Sequence, residues 1–128
     1  MLFRSLYEGH ITITNKNIKR PILSVRDLAR AVEKLITNKA SSNIYNLSSF
    51  NSTVDSISKI VGEYTKVDII DKGNTTGTYN FAIDNAKFKN LNSFMFEDNI
   101  HSTVENVIEC YKNKNPKIVA RNEYFQYD

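Results

Sequence analysis

The stretch Arg20-Pro-Ile-Leu-Ser-Val-Arg-Asp-Leu-Ala-Arg-Ala-Val-Glu-Lys-Leu-Ile36 constrains the fold more than any other part of the chain. Ile22, Leu23 and Val25 give its first half the character of a short buried strand. That strand runs straight into a helix. Ser24 and Asp27 have the spacing of a capping box, in which hydroxyl and carboxylate satisfy free amides of the first turn. Leu28, Val32, Leu35 and Ile36 then fall at i, i+4, i+7 and i+8, one apolar face. Arg20 stands just before the strand, where a long cation can reach past the sheet edge.

The flanking segments read in order. Leu2, Phe3, Leu6 and Tyr7 have helical spacing, and Gly9 is placed to end that helix. The helix lacks a capping residue and a run-up, so the chain is expected to be part of something longer. His10–Thr14 alternates apolar and polar residues, as a strand does. Asn15-Lys-Asn17 then supplies turn chemistry before Ile18–Val25, which predicts a hairpin or two closely linked strands. Past a polar loop at Thr37–Asn43, Ile44–Leu47 reads as a buried strand, with Asn46 either fixing a backbone turn or approaching a ligand. Ser52-Thr-Val-Asp55 is a second capping box, opening a helix with Val54, Ile57, Val61 and Tyr64 on one face. Lys66–Ile70 is a short apolar strand leading to a loop at Asp71–Thr78. Asp84 is expected to cap a short helix carrying Ala86, Phe88 and Leu91, which Asn92 ends in a left-handed conformation, with Phe94 filling an aromatic slot. The last helix, Asp98–Lys112, presents Ile100, Val104, Val107, Ile108 and Tyr111, and Pro116 stops it. The charged and aromatic tail to Asp128 either frays or docks on a partner.

Composition narrows the function classes. The 128 residues suffice for one domain with a modest core. A net charge of +3, with basic and acidic residues interleaved, argues against nucleic acid as a partner. The Lys112–Lys117 cluster reads as a solvated helix end. A single cysteine, Cys110, excludes an internal disulfide framework and fits a reducing compartment; its place in the last helix predicts a buried thiol. Three Asn-x-Ser/Thr matches, at Asn46, Asn51 and Asn74, follow from richness in asparagine. No apolar run approaches the roughly 20 residues of a membrane span. The sequence carries no signal peptide, and the expectation is a soluble, cytoplasmic protein without a membrane partner. His10 and His101 lack convincing nucleophile or metal-ligand neighbours, and carboxylates such as Glu33 and Asp55 are scattered.

Arg20, six residues, Asp27, then Leu-Ala-Arg-Ala resembles the strand-to-helix segment of the extended short-chain dehydrogenases, the NAD-dependent sugar-nucleotide epimerases and dehydratases. Tyr45-Asn-Leu-Ser, Phe81-Ala-Ile-Asp84 and the final helix follow in the family's order, so the resemblance covers about residues 1–112, with 113–128 as a tail. It implies an α/β (mixed) fold: a small carboxyl-terminal substrate-binding lobe of short strands and about four to five helices, without a complete Rossmann domain. In the family the arginine matching Arg20 contacts the diphosphate of a nucleotide sugar. The loop arginine that often joins it is replaced here by Lys72, a point charge without a bidentate fork. Ile11 and Ile13 are expected to line the base pocket, and NAD or NADP is the implied cofactor of the full-length enzyme.

The cofactor and catalytic signatures of that family are missing from this chain. Gly9, Gly62, Gly73 and Gly77 cannot make a Gly-x-x-Gly-x-x-Gly turn. No tyrosine has a lysine four residues later to lower its phenol pKa for proton transfer. No catalytic residue, bound cofactor or metal is therefore assigned to the chain alone. Two expectations stand. The chain is a nucleotide-sugar-binding lobe, truncated and inactive alone, whose Rossmann domain of ~150 residues lies in cis or in trans. Or it is a non-catalytic interaction domain that kept the lobe's core while its site decayed. For Arg20 itself the alternative to a phosphate role is a structural pairing with a carboxylate such as Asp27. Both readings of the chain expect exposed apolar surface and self-association into a homo-oligomer.

Overall fold

The computed structural model describes residues 1–38 and 43–112. In chain order these form α1 (Leu2–Tyr7), β1 (His10–Ile13), β2 (Lys19–Ile22), α2 (Val25–Thr37), β3 (Phe50–Thr53), α3 (Val54–Thr65), β4 (Asp68–Asp71), α4 (Ala86–Asn92) and α5 (Ile100–Lys112). The fold is mixed α/β, with five helices and two two-stranded sheets among the described residues. β1 pairs in parallel with β4, His10 opposite Asp68 and Ile13 opposite Asp71. β2 pairs antiparallel with β3, Lys19 opposite Thr53 and Ile22 opposite Phe50.

β1 and β2 are thus closely linked strands of different sheets, not the two arms of a hairpin. Asn15 turns the chain between them at a φ of 53°, in the left-handed region that asparagine tolerates better than most residues. The parallel pairing continues past β4, where the N–H of Lys72 donates to Ile13 O at 2.9 Å and that of Asn15 to Gly73 O at 2.9 Å.

Two apolar clusters hold these pieces. In the first, Ile11 and Ile13 on the inward face of β1 meet Val61 of α3 and Val104 of α5, and Leu2, Ile57, Ile60 and Ile108 pack around them. Gly62 lets β4 come close, since a Cβ there would meet Ile69 Cδ1 at 3.3 Å and Val67 O at 3.4 Å. In the second, Ala31 of α2, Phe88 of α4 and Phe94 form the centre, closed by Leu35, Tyr45, Leu47 and Phe96. Phe88 meets Tyr45 and Phe94 edge-on, at ring-centroid distances of 5.2 and 5.1 Å. Such aromatic pairs add about 0.5–1.5 kcal/mol each to the burial of their area.

Several local expectations shift. Ile44–Leu47 forms no strand, because Tyr45 and Leu47 turn into the second cluster. The cap of α3 is Thr53, which accepts from Ser56 N–H at 3.1 Å, since Ser52 is engaged in β3 opposite Arg20. Asn85 precedes α4, with Asp84 accepting the N–H of Ala86 at 2.8 Å. The left-handed residue after α4 is Ser93; Asn92 is buried, and its amide donates to Phe88 O at 3.1 Å. α5 starts two residues later than expected, where Asn99 Oδ1 accepts the N–H groups of His101 and Ser102. Cys110 is exposed rather than buried. The tail beyond Lys112 lies outside the described residues.

The largest shift concerns α2. Val25 is its first residue and 81% exposed, while Leu28, Val32 and Ile36 are 40%, 46% and 74% exposed. The face turned inward carries Asp27 and Ala31, both fully buried. Ser24 does cap the helix, accepting from Asp27 N–H at 3.0 Å. The Asp27 carboxylate does not complete the box. It accepts the N–H groups of Glu97 and Asp98 at 3.1 and 3.2 Å and Arg30 Nη1 at 2.8 Å. That network pulls Asp27 inward, and the small side chain of Ala31 beside it leaves room for Phe88 and Phe94. The more apolar face of the helix is left to solvent.

Candidate functional site

Arg20 sits in the middle of β2, half-buried, with its guanidinium at the end of the 71–80 loop. Nη1 donates to Lys19 O at 3.0 Å and to Tyr79 O at 2.5 Å. Both acceptors are backbone carbonyls, and Arg20 forms no ion pair among the described residues. Asp27, its expected structural partner, belongs to Arg30 instead. A guanidinium has five N–H donors. Its Nε and Nη2 groups make no hydrogen bond among the described residues, and no carboxylate among them pairs with the charge.

The loop that carries Tyr79 is exposed throughout yet tied down. The Asn15 amide donates to Thr75 Oγ1 at 2.7 Å and Thr78 Oγ1 at 2.9 Å, and its oxygen accepts Thr75 N–H at 2.8 Å. Asn80 Oδ1 accepts the N–H of Lys19 at 2.9 Å. Asn51 clamps Ile83 from both sides, donating to its carbonyl and accepting from its amide. At the loop's start, the N–H of Gly73 and the ammonium of Lys16 hold the Asp71 carboxyl below the usual carboxylate range. A loop ordered in advance costs a ligand less entropy on binding.

Lys72 opens this loop and Arg20 borders its end, so the two expected phosphate-binding residues flank the same segment. The Lys72 side chain is exposed and takes part in no ion pair among the described residues. Tyr79, whose backbone carbonyl accepts from Arg20, is 83% exposed, and Phe81, two residues on, is 50% exposed. Ile11 and Ile13 lie elsewhere, buried in the first cluster. Their side chains pack on Val61 and Val104 and offer no surface to a ligand, because β1 turns its apolar face inward. Tyr79, Phe81 and the organising Asn15 were not marked by periodicity. Asn15 was marked only as turn chemistry and Phe81 only as the start of Phe81-Ala-Ile-Asp84; nothing in the sequence singled out Tyr79.

The resemblance implies a dinucleotide cofactor for a full-length enzyme, and the strand-to-helix junctions described here do not fit one. At the two direct strand-to-helix junctions, β2 to α2 and β3 to α3, a cap hydroxyl from Ser24 or Thr53 already occupies a first-turn amide, and neither junction holds a glycine. The Tyr64 hydroxyl donates to Glu105 at 2.7 Å, which raises its pKa, the opposite of what a proton-transfer tyrosine needs. His10 Nδ1 lies 3.1 Å from Glu8 O, and no group of three or more metal-ligating side chains occurs among the described residues. No helix among them is long and apolar enough to cross a membrane.

No protein-family model matches the sequence, and no curated protein does. Solved structures do. A UDP-N-acetylglucosamine 4-epimerase from Bacillus cereus superposes with a TM-score of 0.73 at 19% identity, over 89% of this chain and 39% of the epimerase. A Bordetella bronchiseptica enzyme solved with NAD and UDP gives 0.73 at 11% identity, over 87% of this chain and 37% of that one. An L-threonine dehydrogenase from Phytophthora infestans gives 0.74 at 19%, over 89% and 40%. The chain spans about two fifths of the length of the structures it matches. It has the fold of one part of the NAD-dependent epimerases and dehydratases, shared with an L-threonine dehydrogenase.

Proposed function

We propose that this chain is the nucleotide-sugar-binding, carboxyl-terminal portion of an NAD(P)-dependent sugar epimerase, dehydratase or reductase. It is inactive by itself, and a Rossmann domain in cis or in trans supplies cofactor and catalysis. The observation that carries this reading is Arg20, a half-buried cation held by two carbonyls, with no carboxylate partner among the described residues, beside a pinned loop. A residue serving only the core would not need that charge. In this reading Arg20 holds the diphosphate, Lys72 adds a second positive charge from across the loop, and Tyr79 or Phe81 offers a ring to the base. Ile11 and Ile13 act only by supporting the strand from within the core.

The full 128-residue chain should be titrated with UDP-N-acetylglucosamine, dTDP-glucose and inorganic pyrophosphate, followed by amide NMR. Binding should move the Arg20 and 71–80 resonances. Arg20→Ala should weaken it at least about tenfold and Arg20→Lys should restore only part, because a lysine lacks the planar fork. Lys72→Ala should cost roughly two- to fivefold, as for an exposed point charge. Absence of binding at millimolar nucleotide sugar, or indifference to Arg20→Ala, would overturn the reading. One observation favours the second reading, a non-catalytic interaction domain: Lys72 stands where the family often has a loop arginine, whereas the uncovered apolar face of α2 fits both readings.

A further inference from the structure

Val25, Leu28, Val32 and Ile36 recur at i, i+3, i+7 and i+11, so the exposed apolar side chains of α2 form a single line. At the helix N-terminus this line runs into a groove of about 630 Å3 between α2 and α5, whose apolar walls include Leu23 and Val107. Scattered exposed apolar residues need no explanation, but a contiguous set marks an interface.

The charges beside the line indicate the occupant. Arg26 and Glu33 are two turns apart and flank the same side of it, both exposed. Glu33 enters no ion pair among the described residues, and Arg26 reaches Asp98 only at 3.9 Å. If two copies of α2 pack antiparallel about a two-fold axis near Arg30, Leu28 of each copy meets Val32 of the other. Arg26 of each then lies beside Glu33 of the other. A patch complementary to itself is what a two-fold interface requires, and a foreign partner would require no such match. We infer that two copies of this chain associate through the α2 line in antiparallel register, with the Arg26–Glu33 pairs setting that register. The inference shares no residue with the proposed nucleotide-sugar site, so either can fail alone.

Sedimentation of the full chain from roughly 1 μM to roughly 1 mM covers the range of a modest interface. A reversible dimer is expected. Val32→Lys should raise its dissociation constant about a hundredfold, as at the centre of an interface. Arg26→Glu and Glu33→Arg should each raise it about tenfold, and the double exchange should return it to within about threefold of the parent. Circular dichroism checks that each variant keeps its helices, as changes at exposed positions should. A monomer at all concentrations overturns the inference, and so does a dimer indifferent to Val32→Lys. Single reversals that fail to rescue one another overturn it too. So does a monomer that dimerises only when residues 113–128 are removed, since the tail would then be the occupant.

Discussion

At Asp27 a fully buried carboxylate takes donors from two backbone amides and one guanidinium. Asp27→Ala would leave the buried Asp98 N–H and the part-buried Glu97 N–H without this acceptor, while Arg30 keeps Glu97 and Met95 O. An unsatisfied buried donor is more costly than the lost bond itself. The expected loss is about 3 kcal/mol in urea unfolding. Nearby, Asp98 accepts the Ser24 hydroxyl at 2.5 Å and the Ser102 hydroxyl at 3.0 Å. The Ser24 bond, then that of Ser102 and the charges of Arg26 and Arg30, hold its pKa below the ordinary carboxylate value, against the opposing effect of burial. The unfolded chain therefore binds this proton more readily. The stabilisation is present at neutral pH and is lost as pH falls below about 4. Ser24→Ala should cost about 1 kcal/mol at neutral pH as a lost cap and make the acid limb shallower. Urea midpoints between about pH 2 and pH 7 would show both. The Ser24–Asp27 spacing announced the cap from sequence. The inward turn of Asp27 could not be read there, because its amide partners lie 70 and 71 residues away.

Elements were legible where a periodic pattern met a nearby cap, as in α2 and α3, and less so where pairing was remote. β1 reads as a strand from its alternation, but its parallel partner β4 stands nearly sixty residues on, so the pairing was not visible. On α2 the pattern identified an apolar line and assigned it to the core. Periodicity measures a helix's two faces and does not say which one this chain covers. Strain at helix ends yields a separate expectation. Lys66 ends α3 at a φ of 57°, where a side chain is unfavourable and glycine is not. Lys66→Gly should stabilise by about 0.5 kcal/mol. Gly62→Val should destabilise by about 1–3 kcal/mol, since the added atoms would meet Ile69 and a backbone carbonyl. Thermal melts of the two variants should move in opposite directions.

For the whole molecule, the resemblance carried by Arg20–Ala31 and the superposition on solved enzymes point to the same fold. Of the proposed site, Arg20 and Lys72 were named from sequence, since a resemblance transfers residues one at a time. Asn15 was legible as a turn residue, but its ties to Thr75 and Thr78 were not, because those partners lie 60 and 63 residues away. The two apolar clusters also have a consequence for how the molecule comes apart. One cluster gathers α1, β1, α3 and α5; the other gathers α2 and α4. Buried polar bonds from Ser24 and Asp27 to Asp98, at the approach to α5, join them. These bonds decide whether the chain unfolds as one cooperative unit or as two. With Asp27 intact, hydrogen exchange should show the amides of α2 and α3 opening with similar free energies. In Asp27→Ala, α2 should exchange first, and the single denaturant transition should broaden as its m-value falls. The same carboxylate that keeps the apolar line of α2 facing outward would then also be what makes the two clusters a single folding unit.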